Sequence, residues 1–282
     1  MNNPMPDVTV IVPTRNEAGN VAVVADRVAA ALWGARPGAS ARLDWELVFV
    51  DDSDDETVAV LAGLAAVTPP VSVVHRAVEE RVAGLSGAVL AGLAVTTSRW
   101  VAVMDADLQH PPELLGDLLD PVVCGRADVA IASRYCAGRR GGATGRWGRV
   151  VSGGARSTVR MAFPRVRPVS DPLGGFFAFD RAVVEGVHLR PEGFKILLEV
   201  LVRGRWSRVA EVPYNAAMRT TGRSKAGLSE HTRFARHVAR LWLAAGETQL
   251  SGDVDLRGGR PGAHEGPAEP GARPAHRPTS AA

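Results

Sequence analysis

Short, mostly apolar runs recur along the first half of the chain, each followed by a polar cluster and then an alanine-, valine- or leucine-rich stretch. Val8 to Pro13, Trp45 to Val50, Val71 to His75, Val101 to Met104 and Ala127 to Ala132 have the length and composition of strands buried in a sheet. The stretches between them predict helices ending near Trp33, Val67, Thr97 and Cys124. Strands alternating with helices at this spacing predict right-handed βαβ units. The expected fold is α/β, a mostly parallel sheet flanked by helices. In such sheets ligands bind beyond the carboxyl ends of the strands. Three of those ends carry useful polar groups: Thr14 to Glu17, Asp51 to Ser53, and Asp105 to Gln109. Asp54 or Asp55 also suits the N-cap of the helix that follows.

The run from Val101 to Glu113 is the one around which the rest is organised. Its apolar half ends abruptly at Asp105 and Asp107. Side chains two apart in an extended segment point to the same side. Two carboxylates so placed repel each other unless a cation lies between them. Hard divalent cations take such oxygens and share them with substrate phosphates. Asp107 also suits a turn, or the cap of a helix starting at Pro111-Pro112-Glu113.

The second half has a different texture. Gly138 to Gly148 is rich in glycine and arginine and reads as a loop. Trp147 to Phe163 has helical spacing, with Arg149, Ser152, Arg156 and Arg160 interspersed. Ser170 to Asp180 reads as a glycine-led turn entering a strand, and Asp171 before Pro172 suits that turn. Gly193 to Leu201 predicts a buried helix, and Glu211 to Tyr214 the end of another strand. Leu228 to Ala245 predicts an amphipathic helix. Leu228, Phe234, Val238, Leu241 and Trp242 form its apolar stripe; Arg233, Arg236, His237 and Arg240 form its basic side. Such a helix suits an anionic membrane surface or packing on the domain. Ser251 to Ala282 holds eleven Gly and Pro in 32 residues and is expected to be disordered.

Composition narrows the function classes. The chain has 282 residues, 46% of them hydrophobic, and no run of apolar residues long enough to span a bilayer. No signal peptide is visible in Met1 to Asp7. Cys124 and Cys136 form no metal-type pair, so a reducing cytoplasm fits. A net charge of +3 does not suggest nucleic-acid binding. Of 33 basic residues only Lys195 and Lys225 are lysine. A chain this biased towards arginine keeps lysine where a compact ammonium matters, or by chance. Neither a dinucleotide fingerprint nor a P-loop is present.

With these residues in place, the chain resembles family-two GT-A glycosyltransferases, and within them the dolichyl- or polyprenyl-phosphate mannosyltransferase branch. The resemblance rests on Val12 to Glu17, Val50 to Ser53, Met104 to Glu113, Ser133-Arg134-Tyr135, Asp171 to Phe177, and Arg219-x-x-Gly222-x-Ser224-Lys225. It implies a GT-A catalytic domain over 8–227 with the segment after Trp147 near the membrane; the amphipathic helix, for a membrane surface or for packing, then occupies 228–246, and the ends expected to be disordered are 1–7 and 247–282. It implies that Pro13, Arg15, Glu17, Asp52 and Asp105 hold a sugar nucleotide. Asp107 and Gln109 would bind Mg²⁺ or Mn²⁺ at its diphosphate. Arg134, Arg219, Ser224 and Lys225 would gather round the phosphates, and Arg149 and Ser152 would receive the lipid phosphate, alongside Ser224. Asp171 would line the acceptor pocket.

The implied reaction is inverting transfer of mannose from GDP-mannose to a polyprenyl phosphate. Transfer from a UDP-sugar and a catalytically silent relative are the rivals. The implied place is peripheral, on the inner face of the cell membrane, alone or with a separate membrane-protein partner. The chain departs from the family at several positions. Ser53 stands where a glycine is usual, Arg15 where tyrosine is usual, and Gly174 where serine is usual. The arginine expected four residues before Ser152 is Gly148, with Arg149 three before.

Overall fold

The computed structural model describes residues 5–33, 43–67, 70–136, 146–190, 193–215 and 234–244, without the side chains of 67 and 146–152. Seven strands form one sheet in the order β3-β2-β1-β4-β6-β5-β7. They are β1 (Val8–Thr14), β2 (Trp45–Asp51), β3 (Val71–His75), β4 (Trp100–Val103), β5 (Val129–Ser133), β6 (Phe177–Asp180) and β7 (Val209–Pro213). The helices are α1 (Val21–Trp33), α2 (Thr57–Val67), α3 (Gly84–Val95), α4 (Leu115–Val123), α5 (Arg146–Ala162) and α6 (Ile196–Arg203). Residues 234–244 form a further helix, α7.

The mostly parallel α/β sheet expected from the apolar runs is present. One strand runs the other way: β6 lies antiparallel between β4 and β5, with Phe177 opposite Val103 and Ile131. That inversion has a functional consequence. It brings the start of β6, preceded by Gly174-Gly175, to the edge where the parallel strands end.

Every residue of β1 is buried, because helices cover both faces of the sheet. Val8, Val10, Val12 and Phe49 face a cluster with α1, α2 and α4. Ile11, Val48 and Val50 face a second cluster with α3, α5, α6 and α7. Each large side chain so buried contributes roughly 1.5–3 kcal/mol. Gly92 sets the approach of α3, since a β-carbon there would lie 2.7 Å from Ile11 Cγ2.

One open choice is settled, and one expectation needs correction. Asp55, not Asp54, serves the start of α2: its Oδ1 accepts the Thr57 N–H at 3.0 Å, while Asp54 pairs with Arg81. His237 does not belong to an exposed basic side. It is 1% exposed and lies 3.6 Å from the buried Glu199 on α6. Residues 234, 237, 238 and 241 share one helical face, and that face packs inward. Burial and the Arg203 charge push the His237 imidazole down to about 4, so it is neutral at ordinary pH. No helix among the described residues is long and apolar enough to cross a membrane.

Candidate active site

The strand order turns at β1, whose neighbours β2 and β4 are reached by connections in opposite directions. A crevice opens there, outside the carboxyl ends. Pro13 is buried in β1, and Arg15 is exposed just beyond it, 3.8 Å from Asp54. Glu17 is half-buried and accepts a hydrogen bond from Asn20 Nδ2 at 2.7 Å. At the end of β2, Asp51 is fully buried and is held by Thr14 Oγ1, Ser53 Oγ and, at 2.8 Å, His75 Nδ1.

Asp52 is 6% exposed, and both of its oxygens accept from Arg76, itself 4% exposed. Arg76 also donates to the Glu80 and Gly84 carbonyls. Sequence reasoning missed Arg76. The available signal was an arginine directly after the third predicted strand, the run that follows Asp51-Asp52.

Beyond β4, Asp105 and Gln109 are half-buried and Asp107 is 6% exposed. Asp107 Oδ1 accepts the Gln109 N–H at 3.1 Å. Leu108 between them has φ of 58°, a left-handed conformation that costs a branched residue roughly 1–3 kcal/mol. Burial of Leu108 in the α1–α4 cluster holds it there. The tight turn thus sets the Asp107 carboxylate against the Gln109 backbone.

His110, also missed, is buried between Asp105 and Tyr214. Its Nε2 lies 3.3 Å from Asp105 Oδ2, and its Nδ1 lies 2.9 Å from the Tyr214 hydroxyl. Gly175 at the start of β6 crowds the same spot. A β-carbon there would lie 2.8 Å from Asp105 Oδ2 and 3.3 Å from His110 Nε2.

The basic side of the crevice comes from β5 and α6. Arg134 Nε lies 3.3 Å from Asp171 Oδ2, and the Arg134 N–H points to the same oxygen at 3.4 Å. Burial pulls the Arg134 guanidinium down. The Asp171 charge and the phenols of Tyr214 and Tyr135 outweigh that, so it stands above its ordinary range. Asp171 is 1% exposed, and its Oδ1 has no hydrogen-bond partner among the described residues. A buried carboxylate oxygen left so is the kind of atom that a ligand or an ordered water satisfies. Asp171 also makes the expected turn, its carbonyl accepting the Gly174 N–H. Arg156 of α5 lies 3.3 Å from the centre of the Tyr135 ring and donates to the Ser170 carbonyl. It ties α5 to this corner of the crevice.

Lys195, whose role the sequence left open, belongs to the site. Its ammonium donates to the Leu173 carbonyl at 2.7 Å and sits 4.4 Å from the centre of the Phe194 ring. Burial lowers it to about 8; Asp105 and Asp171 raise it against that, and Arg134 lowers it further. Any activity that relies on this ammonium is expected to slow as pH rises through about 8, where the charge is lost. Lys195→Arg is expected to hold the rate above that point. Stability moves the other way. The unfolded chain keeps this proton to about 10.5, the ordinary value. In that window the unfolded state binds more protons, and stability rises with pH. A rate profile flat through the window in the unaltered protein would remove Lys195 from the charge balance of the site.

Asp105, Asp107, Gln109, Arg134, Asp171 and Lys195 therefore share one edge of the sheet. The backbone of Arg149 and Ser152 lies in α5. Arg219, Ser224 and Lys225 lie outside the described residues. Among the described residues, no cluster of three or more His, Cys, Asp or Glu side chains could hold a metal alone. Asp107 and Gln109 offer the oxygen donors of an open site. That fits a hard divalent cation, which fills its other positions with water and diphosphate oxygens.

The chain has counterparts among known proteins. Residues 9–187 match the family described as glycosyl transferase family 2. The chain belongs to this family. It is 39% identical over 243 residues to a dolichol-phosphate mannosyltransferase of Pyrococcus furiosus, covering 85% of this chain and 65% of that protein. The family-two chain thus spans just under two thirds of that relative's length. The dolichol-phosphate mannosyltransferase of Saccharomyces cerevisiae is 35% identical over 249 residues, 83% of this chain and 86% of the relative.

Among solved structures, glucosyl-3-phosphoglycerate synthase from Mycobacterium tuberculosis, in complex with Mn²⁺, UDP and glucosyl-3-phosphoglycerate, superposes with a TM-score of 0.61 at 21% identity. That match covers 85% of this chain and 80% of that one. Mannosyl-3-phosphoglycerate synthase from Rubrobacter xylanophilus gives 0.59 at 22%, with 84% and 73% covered. These likenesses establish the family-two chain's GT-A fold.

Proposed function

We propose that this family-two chain transfers mannose from GDP-mannose to a polyprenyl phosphate, with inversion at the sugar carbon. The observation that carries the reading is the meeting, at one strand edge, of Asp105 and Asp107 with Arg134 and Lys195. The relatives' names supply the sugar and the acceptor class.

The chemistry asks little of a general base. A phosphate monoester is mostly dianionic at neutral pH, so its oxygen attacks the anomeric carbon directly. The bond from that carbon to the diphosphate breaks, and the nucleoside diphosphate leaves with the electron pair. The protein's task is to hold two anions in line and to balance the charge that grows on the leaving group. Pro13, Glu17 and Asp52, with Arg15 at the rim, would hold the nucleoside. Asp107 and Gln109 would hold Mg²⁺ or Mn²⁺, which supplies Lewis-acid stabilisation of the diphosphate when bound. Arg134, held by Asp171, and Lys195 add fixed positive charge. Arg219 and Lys225 would add more at the phosphates, while Arg149, Ser152 and Ser224 would receive the acceptor phosphate.

The face made by α5 and α7 suits contact with the membrane that carries the acceptor. Ala155, Thr158 and Ala162 of α5 and Phe234, Val238 and Trp242 of α7 line an apolar groove of about 410 Å³. Met161, Trp242 and Leu243 stand more than half exposed, large apolar groups that an interfacial helix buries in lipid.

The test is transfer of labelled sugar into an organic-extractable lipid. Purified protein is incubated with Mg²⁺ or Mn²⁺, a short polyprenyl phosphate, and GDP-mannose, UDP-glucose or UDP-GlcNAc in parallel. Label from GDP-mannose alone is the expected result. Label from a UDP-sugar keeps the acceptor and discards the donor, and no label from any donor discards the reaction. In the same experiment the protein is expected to sediment with anionic vesicles, and protein left in the supernatant would remove the membrane contact.

A further inference from the structure

We propose that His110, kept in one tautomer by Asp105 and Tyr214 together, is a positioning residue that aims the Asp105 carboxylate into the donor pocket. The proposal rests on the sugar-nucleotide reading of the crevice. It assigns work to two side chains that no part of that reading uses.

Three elements far apart in sequence converge here. His110 follows the turn after β4, Tyr214 follows β7, and Gly175 precedes the antiparallel β6. His110 is 8% exposed and Tyr214 is 5% exposed. The imidazole packs against the rings of Phe176 and Tyr214, with centres 5.5 and 5.7 Å away. Its polar neighbours on the two ring nitrogens are Asp105 and Tyr214.

The hydrogen-bond directions follow from elementary chemistry. The Asp105 carboxylate only accepts, so it draws the ring proton to Nε2 and leaves Nδ1 to take the proton of the Tyr214 hydroxyl. That proton has an acceptor in His110 Nδ1, 2.9 Å away. An imidazole that accepts at Nδ1 carries its own proton on Nε2. The Nε2–H then faces Asp105 Oδ2 at 3.3 Å. The carboxylate and the phenol together thus hold one tautomer, and the fixed ring holds the carboxylate rotamer. Gly175 completes the device, because a side chain there would displace Asp105 or His110. Partners of this kind behind a ligating carboxylate typically change affinity or activity about 10- to 100-fold when removed.

A buried histidine that merely fills space is the rival, and conservative variants separate the two. The Gln amide nitrogen reaches the place of Nε2, and the Asn amide reaches that of Nδ1. Binding of GDP and of UDP with Mn²⁺ is measured by calorimetry, beside donor and acceptor KM and a thermal melt. His110→Gln is expected to stay within a few-fold of wild type. His110→Asn and His110→Ala are expected to weaken nucleotide binding and raise the donor KM roughly tenfold, with the acceptor KM unchanged. Imidazole ¹⁵N spectra of the unaltered protein are expected to show His110 protonated on Nε2, and Tyr214→Phe to mix the tautomers.

His110→Asn binding as tightly as wild type overturns the proposal, and so does a proton on Nδ1 in the unaltered protein. An unaltered protein that binds neither nucleotide overturns the donor reading, and the assignment of Asp105 falls with it. The imidazole spectrum still reports on the Tyr214–His110 contact by itself, so the two failures are told apart.

Discussion

Asp107→Ala is expected to abolish sugar transfer, by at least about 10³-fold, while the protein stays folded. Fixed groups that meet charge as it develops in a transition state are worth roughly 10²–10³ each in rate, and a bound metal contributes several kcal/mol. Asp107 would supply the carboxylate in the open oxygen site it forms with Gln109. Its structural part is smaller: Oδ1 accepts the Gln109 N–H at 3.1 Å in the turn through Leu108. One such hydrogen bond is worth roughly 0.5–1.5 kcal/mol. Asp107→Asn separates the two parts, because the amide oxygen still accepts from Gln109 while the charge is gone. Both variants are expected to lose lipid-phase label, and Asn is expected to melt nearer to wild type than Ala. Unchanged turnover in either would sink the metal assignment.

Arg76→Ala carries the largest expected effect on stability, a loss of about 3–5 kcal/mol. The Arg76–Asp52 pair is bidentate and almost wholly buried. Removing the cation strands a carboxylate that neither water nor another described cation at hydrogen-bonding distance can meet. The Glu80 and Gly84 carbonyls lose their donor as well. Equilibrium urea unfolding reads the loss. Replacing both partners, with Arg76→Met and Asp52→Leu together, is expected to recover part of it, since an apolar pair of similar volume is often tolerated. That double variant is expected to stay inactive, because the proposed nucleoside contact of Asp52 is gone. Full stability in Arg76→Ala would show that the buried pair is not what holds the β2 and β3 ends together.

The strands were legible because a sheet covered on both faces demands apolar runs of four to seven residues, as in Val8–Thr14 and Trp45–Asp51. The acidic ends were legible because such runs end abruptly. Charge alone misled at His237. Its spacing from Phe234 and Leu241 placed it on the packed face, and packing outweighed its polarity. Lys195 could be singled out by rarity, but its neighbours could not. The groups that burial and charge couple to it come from β4, β5 and the turn before β6.

The sequence by itself determined the alternation of strands and helices, the edge at which ligands meet the sheet, and the residue types of the Asp105–Gln109 motif. These depend on local periodicity and on short spacings, which a linear chain carries in full. The tertiary structure alone decided the direction of β6, the pairing of Asp52 with Arg76, and the line from Tyr214 through His110 to Asp105. Each joins residues between 5 and 104 positions apart. A hydrogen bond depends on a few tenths of an ångström and an angle, and only the packed core sets those.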